Sequence, residues 1–152
     1  MDQFMKKAIQ LAVENVEQGG QPFGAVLVRN GEVIAEGVNE LHIRFDVSGH
    51  AELLAIRRAQ EMLQTLDLGD CTMYASGEPC AMCLTAMYFA GIKKVYFSAT
   101  VDDAEKVGLG LSKMIYLDLT KERHDRKIDM IHMPNNQTQP DPMKNWKEKG
   151  RN

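Results

Sequence analysis

The chain has 152 residues, 44% of them hydrophobic and 26% charged, with a formal net charge of −3. That length suits one domain, read here as residues 1–152, burying about two-thirds of its unfolded surface. No low-complexity tract and no apolar run of membrane-spanning length is present, and Met1–Lys7 lacks the apolar core of a targeting segment. Three cysteines in such a chain do not make a disulfide framework, so a cytoplasmic protein is expected. The negative charge argues against a nucleic-acid partner, leaving room only for a local basic patch.

Phe4, Met5, Ile9, Ala12, Val13 and Val16 recur at helical period over residues 2–18, and Gly19-Gly20 stops that helix. Ala25–Val28 and Val33–Ala35 are β-prone runs around Asn30-Gly31, the strongest short hairpin signal. A loop follows to Ser48. The next helix is expected from His50 to Gln64, burying Leu53, Leu54, Ile56, Ala59 and Leu63. Thr72–Ala75 reads as a strand, and Pro79 stands at the start of a third helix ending at Gly91. Lys94–Ser98 reads as a strand parallel to Thr72–Ala75, joined to it by a right-handed crossover. Beyond Ala99 the pattern predicts a short helix over Asp102–Val107 and a strand over Ile128–Met133. Pro134–Pro140 is a polar linker, and Asp141-Pro142 caps a final helix through Trp146.

The chemistry concentrates at two predicted helix starts, His50-Ala51-Glu52 and Glu78-Pro79-Cys80-Ala81-Met82-Cys83. One imidazole and two thiols suit a four-coordinate zinc, one per chain, whose last position is open to water. Such a metal lowers the pKa of its water from about 15.7 toward 7, and Glu52 is placed to accept the proton without ligating. Other readings stand beside this one. Cys80 and Cys83 also have the spacing of a thioredoxin-like redox pair, although that gives His50 and Glu52 no task. A structural zinc in an interaction module would need a fourth ligand from Cys71, His42, His124 or His132, none of which has paired spacing. Cys71 itself reads as a small core residue, as do Met73, Met82, Met87 and Met114 as larger ones.

The residues Gln21–Val28, Asn30-Gly31, Gly37-Val38-Asn39, His50-Ala51-Glu52 and Glu78–Phe97 resemble the cytidine-deaminase-like superfamily. The resemblance is to its branch of bacterial guanine deaminases, tRNA adenosine deaminases and fungal-type cytosine deaminases. It implies an α/β fold, a three-layer α/β/α sandwich with a central five-stranded mixed sheet. It gives zinc to His50, Cys80 and Cys83, makes Glu52 the proton shuttle, and puts Asn39, Phe23 and Ala51 against the substrate. The implied reaction is hydrolytic deamination of a free nucleobase, guanine first, or a related N-heterocycle. A nucleoside, cytosine or a tRNA adenosine is the alternative. The implied state is a homodimer with pockets near the interface, in which the helix around Trp146 crosses to the partner through the Pro134–Pro140 linker. Trp146 otherwise anchors the last helix or lids the pocket by stacking.

The chain departs from the guanine deaminases at two places. They carry an acidic partner for the guanine amino group where this chain reads Gly108-Leu109-Gly110-Leu111-Ser112, with Asp102 or Asp103 as nearby substitutes. They also end in a pocket-covering aromatic residue, whereas this chain ends Gly150-Arg151-Asn152. Lys144, Lys147, Lys149 and Arg151 form a basic tail interrupted by Glu148, which reads as a solvated helix face rather than a phosphate-binding surface.

Overall fold

The structure, a computed structural model, describes residues 1–150. Arg151, the last cation of the basic tail, lies outside the described residues. The chain divides into two compact units, residues 1–117 and 118–152.

In the first unit, helix α1 (Gln3–Glu17) precedes strands β1 (Gly24–Arg29) and β2 (Glu32–Val38), and helix α2 (Ala51–Leu63) precedes strand β3 (Cys71–Gly77). Helix α3 (Ala81–Ala90) then leads to strand β4 (Val95–Ala99) and helix α4 (Val101–Lys106). Helix α5 (Leu111–Leu119) follows. Asp2 caps α1 by accepting from the Phe4 and Met5 amides. Asn30 (φ 51°) and Gly31 (φ 77°) make the two-residue hairpin between β1 and β2, where two successive positive φ angles match the strand twist.

The sheet has four strands in the order β2-β1-β3-β4, antiparallel except for the parallel pair β3–β4. The expected fifth strand is missing. Residues 128–133 take no regular structure, and Ile128, Met130, Ile131 and Met133 are exposed. Alternating apolar residues give β propensity, but a strand also needs a ladder partner, and none pairs with this segment among the described residues.

Strand alternation sends Leu27, Met73 and Ala75 to one face, where they form a core with Ala51, Ala55, Ile56 and Ala59 of α2 and Met87 of α3. On the opposite face α1 packs against the sheet, and Phe4 meets Tyr74, which stacks on Tyr96. The result is helix, sheet and helix in three layers. Met73 and Met87 are core residues as expected, and so is Cys71, whose thiol burial pushes up to about 11. Met82 is not: it faces outward at the rim of a cavity, one residue from the turn's ligands.

In the second unit Asp141 caps helix α6 (Pro142–Glu148) through the Met143 and Lys144 amides. Trp146 is half exposed there, and Lys144 pairs with Glu148 at 3.9 Å. Among the described residues no helix is long and apolar enough to cross a membrane.

Gly37 sets how close α2 comes to the sheet, because a Cβ there would lie 2.4 Å from the Ala51 carbonyl oxygen and 3.1 Å from the Leu54 Cβ. Gly37→Ala therefore forces the first turn of α2 off β2. Chemical denaturation should show a loss of about 1–3 kcal/mol, typical of overpacking, and the loss of zinc affinity should accompany it. Unchanged stability would mean the helix docks with slack.

Candidate active site

Two helix starts carry the chemistry. His50 is the N-cap of α2 and Cys80 the N-cap of α3, both in extended backbone, and neither side chain caps its helix. N-cap side chains ordinarily satisfy first-turn amides, so these two are free for another task. Because α2 and α3 lie on the same face of the sheet, their starts converge. Pro79 precedes the cap rather than occupying the first helical turn, and Cys83 follows one turn later on α3.

His50 Nδ1 lies 3.5 Å from Cys80 Sγ and 3.6 Å from Cys83 Sγ. The three ligand atoms all fall within 4.8 Å of one another. A tetrahedral zinc with bonds of about 2.1 Å to nitrogen and 2.3 Å to sulfur separates those atoms by about 3.6 Å. The cluster has the dimensions of three corners of that tetrahedron. No fourth protein ligand joins it among the described residues. A fully protein-ligated structural site is thereby set aside, while an open corner is what hydrolytic zinc chemistry requires.

The protonation pattern agrees. Cys80 is drawn down to about 4, first by the hydrogen bond with the Cys83 side chain and then by His50. Cys83 is pushed up, chiefly because it holds the proton that Cys80 has given up, and burial adds to this. His50 is raised by its hydrogen bond with Cys80, with burial opposing. Two sulfurs and one imidazole are competing for protons that a dication would displace, since thiolate and neutral imidazole are the ligating forms.

Glu52, 5% exposed, sits in the first turn of α2. Burial raises its carboxyl to about 7, against a smaller opposing effect from Cys83. A carboxylic group balanced near neutrality beside an open metal corner is suited to both accept and release a proton.

A cavity of about 530 Å³ opens over this cluster. Asn39, Phe23 and Ala51 all line it, as expected. Asn39 is 1% exposed; its Nδ2 donates to Gln21 Oε1 at 3.3 Å and its Oδ1 accepts from the Leu41 amide at 3.0 Å. Each end keeps capacity for one more bond. Phe23 lies flat against Gly77, where a Cβ would come within 2.9 Å of its ring. Asp102 and Asp103 do not line the cavity. Asp102 pairs with Lys113 at 2.7 Å, and Asp103 closes a capping box with Thr100.

Asn15 came only with the structure, as did the share of α4 and Ile115 in a cavity wall whose Gly108–Ser112 segment the resemblance had already marked. Buried Asn15 on α1 donates to the carbonyls of Gln21 and Asn39 at 2.8 and 2.9 Å, holding both cavity residues from behind. Nothing in its local sequence marks it. A further wall of the cavity comes from α4, α5 and their glycine-containing loop: Val101, Ala104, Leu109, Leu111, Ser112 and Ile115.

This fold and this site define a zinc-dependent aminohydrolase. A family model described as the cytidine and deoxycytidylate deaminase zinc-binding region matches residues 1–99, and the chain belongs to that family. It is similar to guanine deaminase of Bacillus subtilis (strain 168), with 44% identity over 126 residues, 82% of this chain and 80% of that one. A solved structure of guanine deaminase from Bacillus subtilis superposes with a TM-score of 0.89 at 38% identity, covering 97% of this chain and 95% of that chain. A tRNA-specific adenosine deaminase of Aquifex aeolicus (strain VF5) is 41% identical over 96 residues, 63% of this chain and 64% of its own. A further solved structure, in complex with 2,6-diaminopurine, is 33% identical with a TM-score of 0.66, covering 69% of this chain and 59% of that chain.

Cys83 is the most enclosed of the three ligands. Cys83→Ser should strip zinc and lower thermal stability together, because metal binding is coupled to folding. Metal analysis finding full zinc occupancy in that variant would remove Cys83 from the ligand set.

Proposed function

We propose that the protein removes the exocyclic amine from a free aminopurine, guanine first, by hydrolysis, releasing ammonia. The observation that carries this reading is a largely apolar cavity, ample for a nucleobase, over a three-ligand metal cluster with a buried carboxyl beside the open corner. A cavity of this volume with a few polar groups is a small-ligand site. Likeness to guanine deaminase over most of both chains supports the same substrate, and a role in purine metabolism accords with it.

His50, Cys80 and Cys83 hold the zinc, which when bound acts as a Lewis acid that acidifies water at neutral pH. Asn39 hydrogen-bonds the edge of the base, Phe23 packs on its flank, and the Ala51 amide, in a first turn whose N–H groups lack helical acceptors, offers a further donor. Glu52 takes a proton from the attacking water and delivers it to the adjacent ring nitrogen. A second transfer through the same carboxyl protonates the amine, which leaves as ammonia while the ring carbon keeps the oxygen. Three free thiols, Cys71, Cys80 and Cys83, fit a cytoplasmic setting.

A tRNA substrate is the second reading, favoured by likeness to tRNA-specific adenosine deaminases. Phosphate binding needs an array of free cations. Lys113 is committed to Asp102 and Glu105, and Lys144 to Glu148. Ammonia release by zinc-loaded protein should therefore be greatest with guanine among guanine, adenine, cytosine, their nucleosides and an anticodon stem-loop. Glu52→Gln should keep its zinc and lose at least about a hundredfold in turnover. Activity confined to the stem-loop would overturn the substrate, and wild-type turnover by Glu52→Gln would overturn the shuttle.

A homodimer completes the proposal. Tyr88 and Phe89 on α3 are 78% and 88% exposed, and Phe97 on β4, beside Ala75 and so on the same side of the sheet, is also exposed. Clustered exposed aromatics on a small domain mark an association surface, and here a second copy is the occupant. Sedimentation at micromolar concentration should give a dimer, and Phe89→Glu a monomer. A wild-type monomer would refute it.

A further inference from the structure

Among the described residues two buried side-chain polar atoms lack a hydrogen-bond partner, Ser112 Oγ and Asp118 Oδ1. Asp118 Oδ1 has Lys121 at 3.5 Å. Ser112 Oγ has nothing, and Ser112 alone of the two borders the active-site cavity. It stands on the part of the cavity wall that α4 and α5 form, in the first turn of α5. That wall is otherwise apolar or glycine: Val101, Ala104, Leu109, Leu111 and Ile115.

A serine in the first turn of a helix normally earns its place by bonding a nearby amide. Ser112 makes no such bond. Other polar groups of the lining are engaged: Thr100 Oγ1 accepts from the Asp103 amide at 3.1 Å, Glu78 Oε1 from the Val101 amide at 3.0 Å, and Asn39 at both ends. An unbonded buried hydroxyl destabilises the protein that carries it, so its presence at a cavity wall points to a ligand. The hydroxyl moves between staggered wells by one torsion. Turning it toward the cavity breaks no bond, because it has none to leave.

We infer that Ser112 is the specificity-determining residue of the site, its hydroxyl bonding the edge of the base that meets the α5 wall. This inference rests on the deaminase reading above. A hydroxyl donates and accepts, so it accommodates either a ring nitrogen or an N–H at that edge, where a carboxylate would demand a donor. The remainder of the wall rejects neither, because an apolar surface discriminates weakly between similar rings. A base with a polar group at that edge is thus selected over one without.

Wild type, Ser112→Ala and Ser112→Thr should be compared in zinc-loaded form. The KM for the best base in the panel should rise roughly tenfold in Ser112→Ala, with kcat within about threefold, and Ser112→Thr should recover most of the loss. The melting temperature of Ser112→Ala should not fall, since an unsatisfied polar atom has been removed. A purely structural serine would give the reverse: lower melting temperature and unchanged KM. Calorimetric binding of xanthine, the deaminated form of guanine, gives a readout independent of turnover, and its Kd should weaken by a similar factor. Failure to release ammonia from any base would sink the deaminase reading. The Ser112 assignment is overturned separately, by a Kd for xanthine equal in wild type and Ser112→Ala, or by no xanthine binding in wild type.

Discussion

The structure depends on bringing two sulfurs and an imidazole nitrogen to within bonding distance of one point. Sulfur and nitrogen atoms 3.5–3.6 Å apart are an uncomfortable arrangement in the absence of a cation, because at most one proton can be shared along each edge. The opposed shifts of Cys80 and Cys83 are the symptom. A dication removes the competition by turning both thiols into thiolates, and the positive ends of two helices assist. Much of the surrounding architecture follows from this convergence. The β3–α3–β4 crossover carries the two cysteines to the edge of the sheet where the α2 start arrives. Gly37 lets the backbone of α2 close onto β2, so that His50 reaches them.

How much of this could be read from the chain depended on sequence distance. The ligands and Glu52 were legible because each group sits within a few residues at the start of a periodic helix, where the chemistry and the local structure mark the same place. The hairpin was legible from Asn30-Gly31 alone, since few residue pairs tolerate two positive φ angles. The parallel β3–β4 pair was legible from the alternation of strand and helix. Asn15 was invisible because its partners, Gln21 and Asn39, are assembled by tertiary folding. Helix α5 went unread because it buries no residue fully and follows a glycine-containing loop, so its apolar residues show no clean division between core and solvent face. The fifth strand was expected from composition and from the resemblance, and composition does not supply a ladder partner.

The cavity consequently has two halves of different character. The chemical half rests on the sheet and on the first turns of α2 and α3, with Ala51 fully buried and Cys83 beneath it. Positions like these are fixed to fractions of an ångström by close packing. The other half rests on two short helices joined through Gly108 and Gly110, with no fully buried residue in either. The first must hold a metal geometry and tolerates little change. The second carries no metal ligand, and on the reading proposed above it has only to present a complementary surface to the base.

Two hydrogen bonds keep these halves from moving independently. Glu78, two residues before Cys80, accepts from the Val101 amide at the start of α4, while its own amide donates to the Ala99 carbonyl at 2.7 Å. Tyr116 on α5 donates its hydroxyl to the carbonyl of Pro79, the residue before the first thiol ligand. Each tie contributes on the order of 1 kcal/mol net, little beside the core but enough to bias a short helix between neighbouring positions. Both anchors flank the cysteine turn rather than the histidine helix, so the α4–α5 wall is registered against the sulfur side of the ligand cluster. A ligand pressing on Leu111 or Ser112 therefore bears on Pro79 and Cys80 through α5. Burial pushes the Tyr116 phenol up to about 12, which keeps it a donor in the range near neutrality where Glu52 exchanges its proton. The tie between the α5 wall and the cysteine turn thus survives protonation and deprotonation of Glu52.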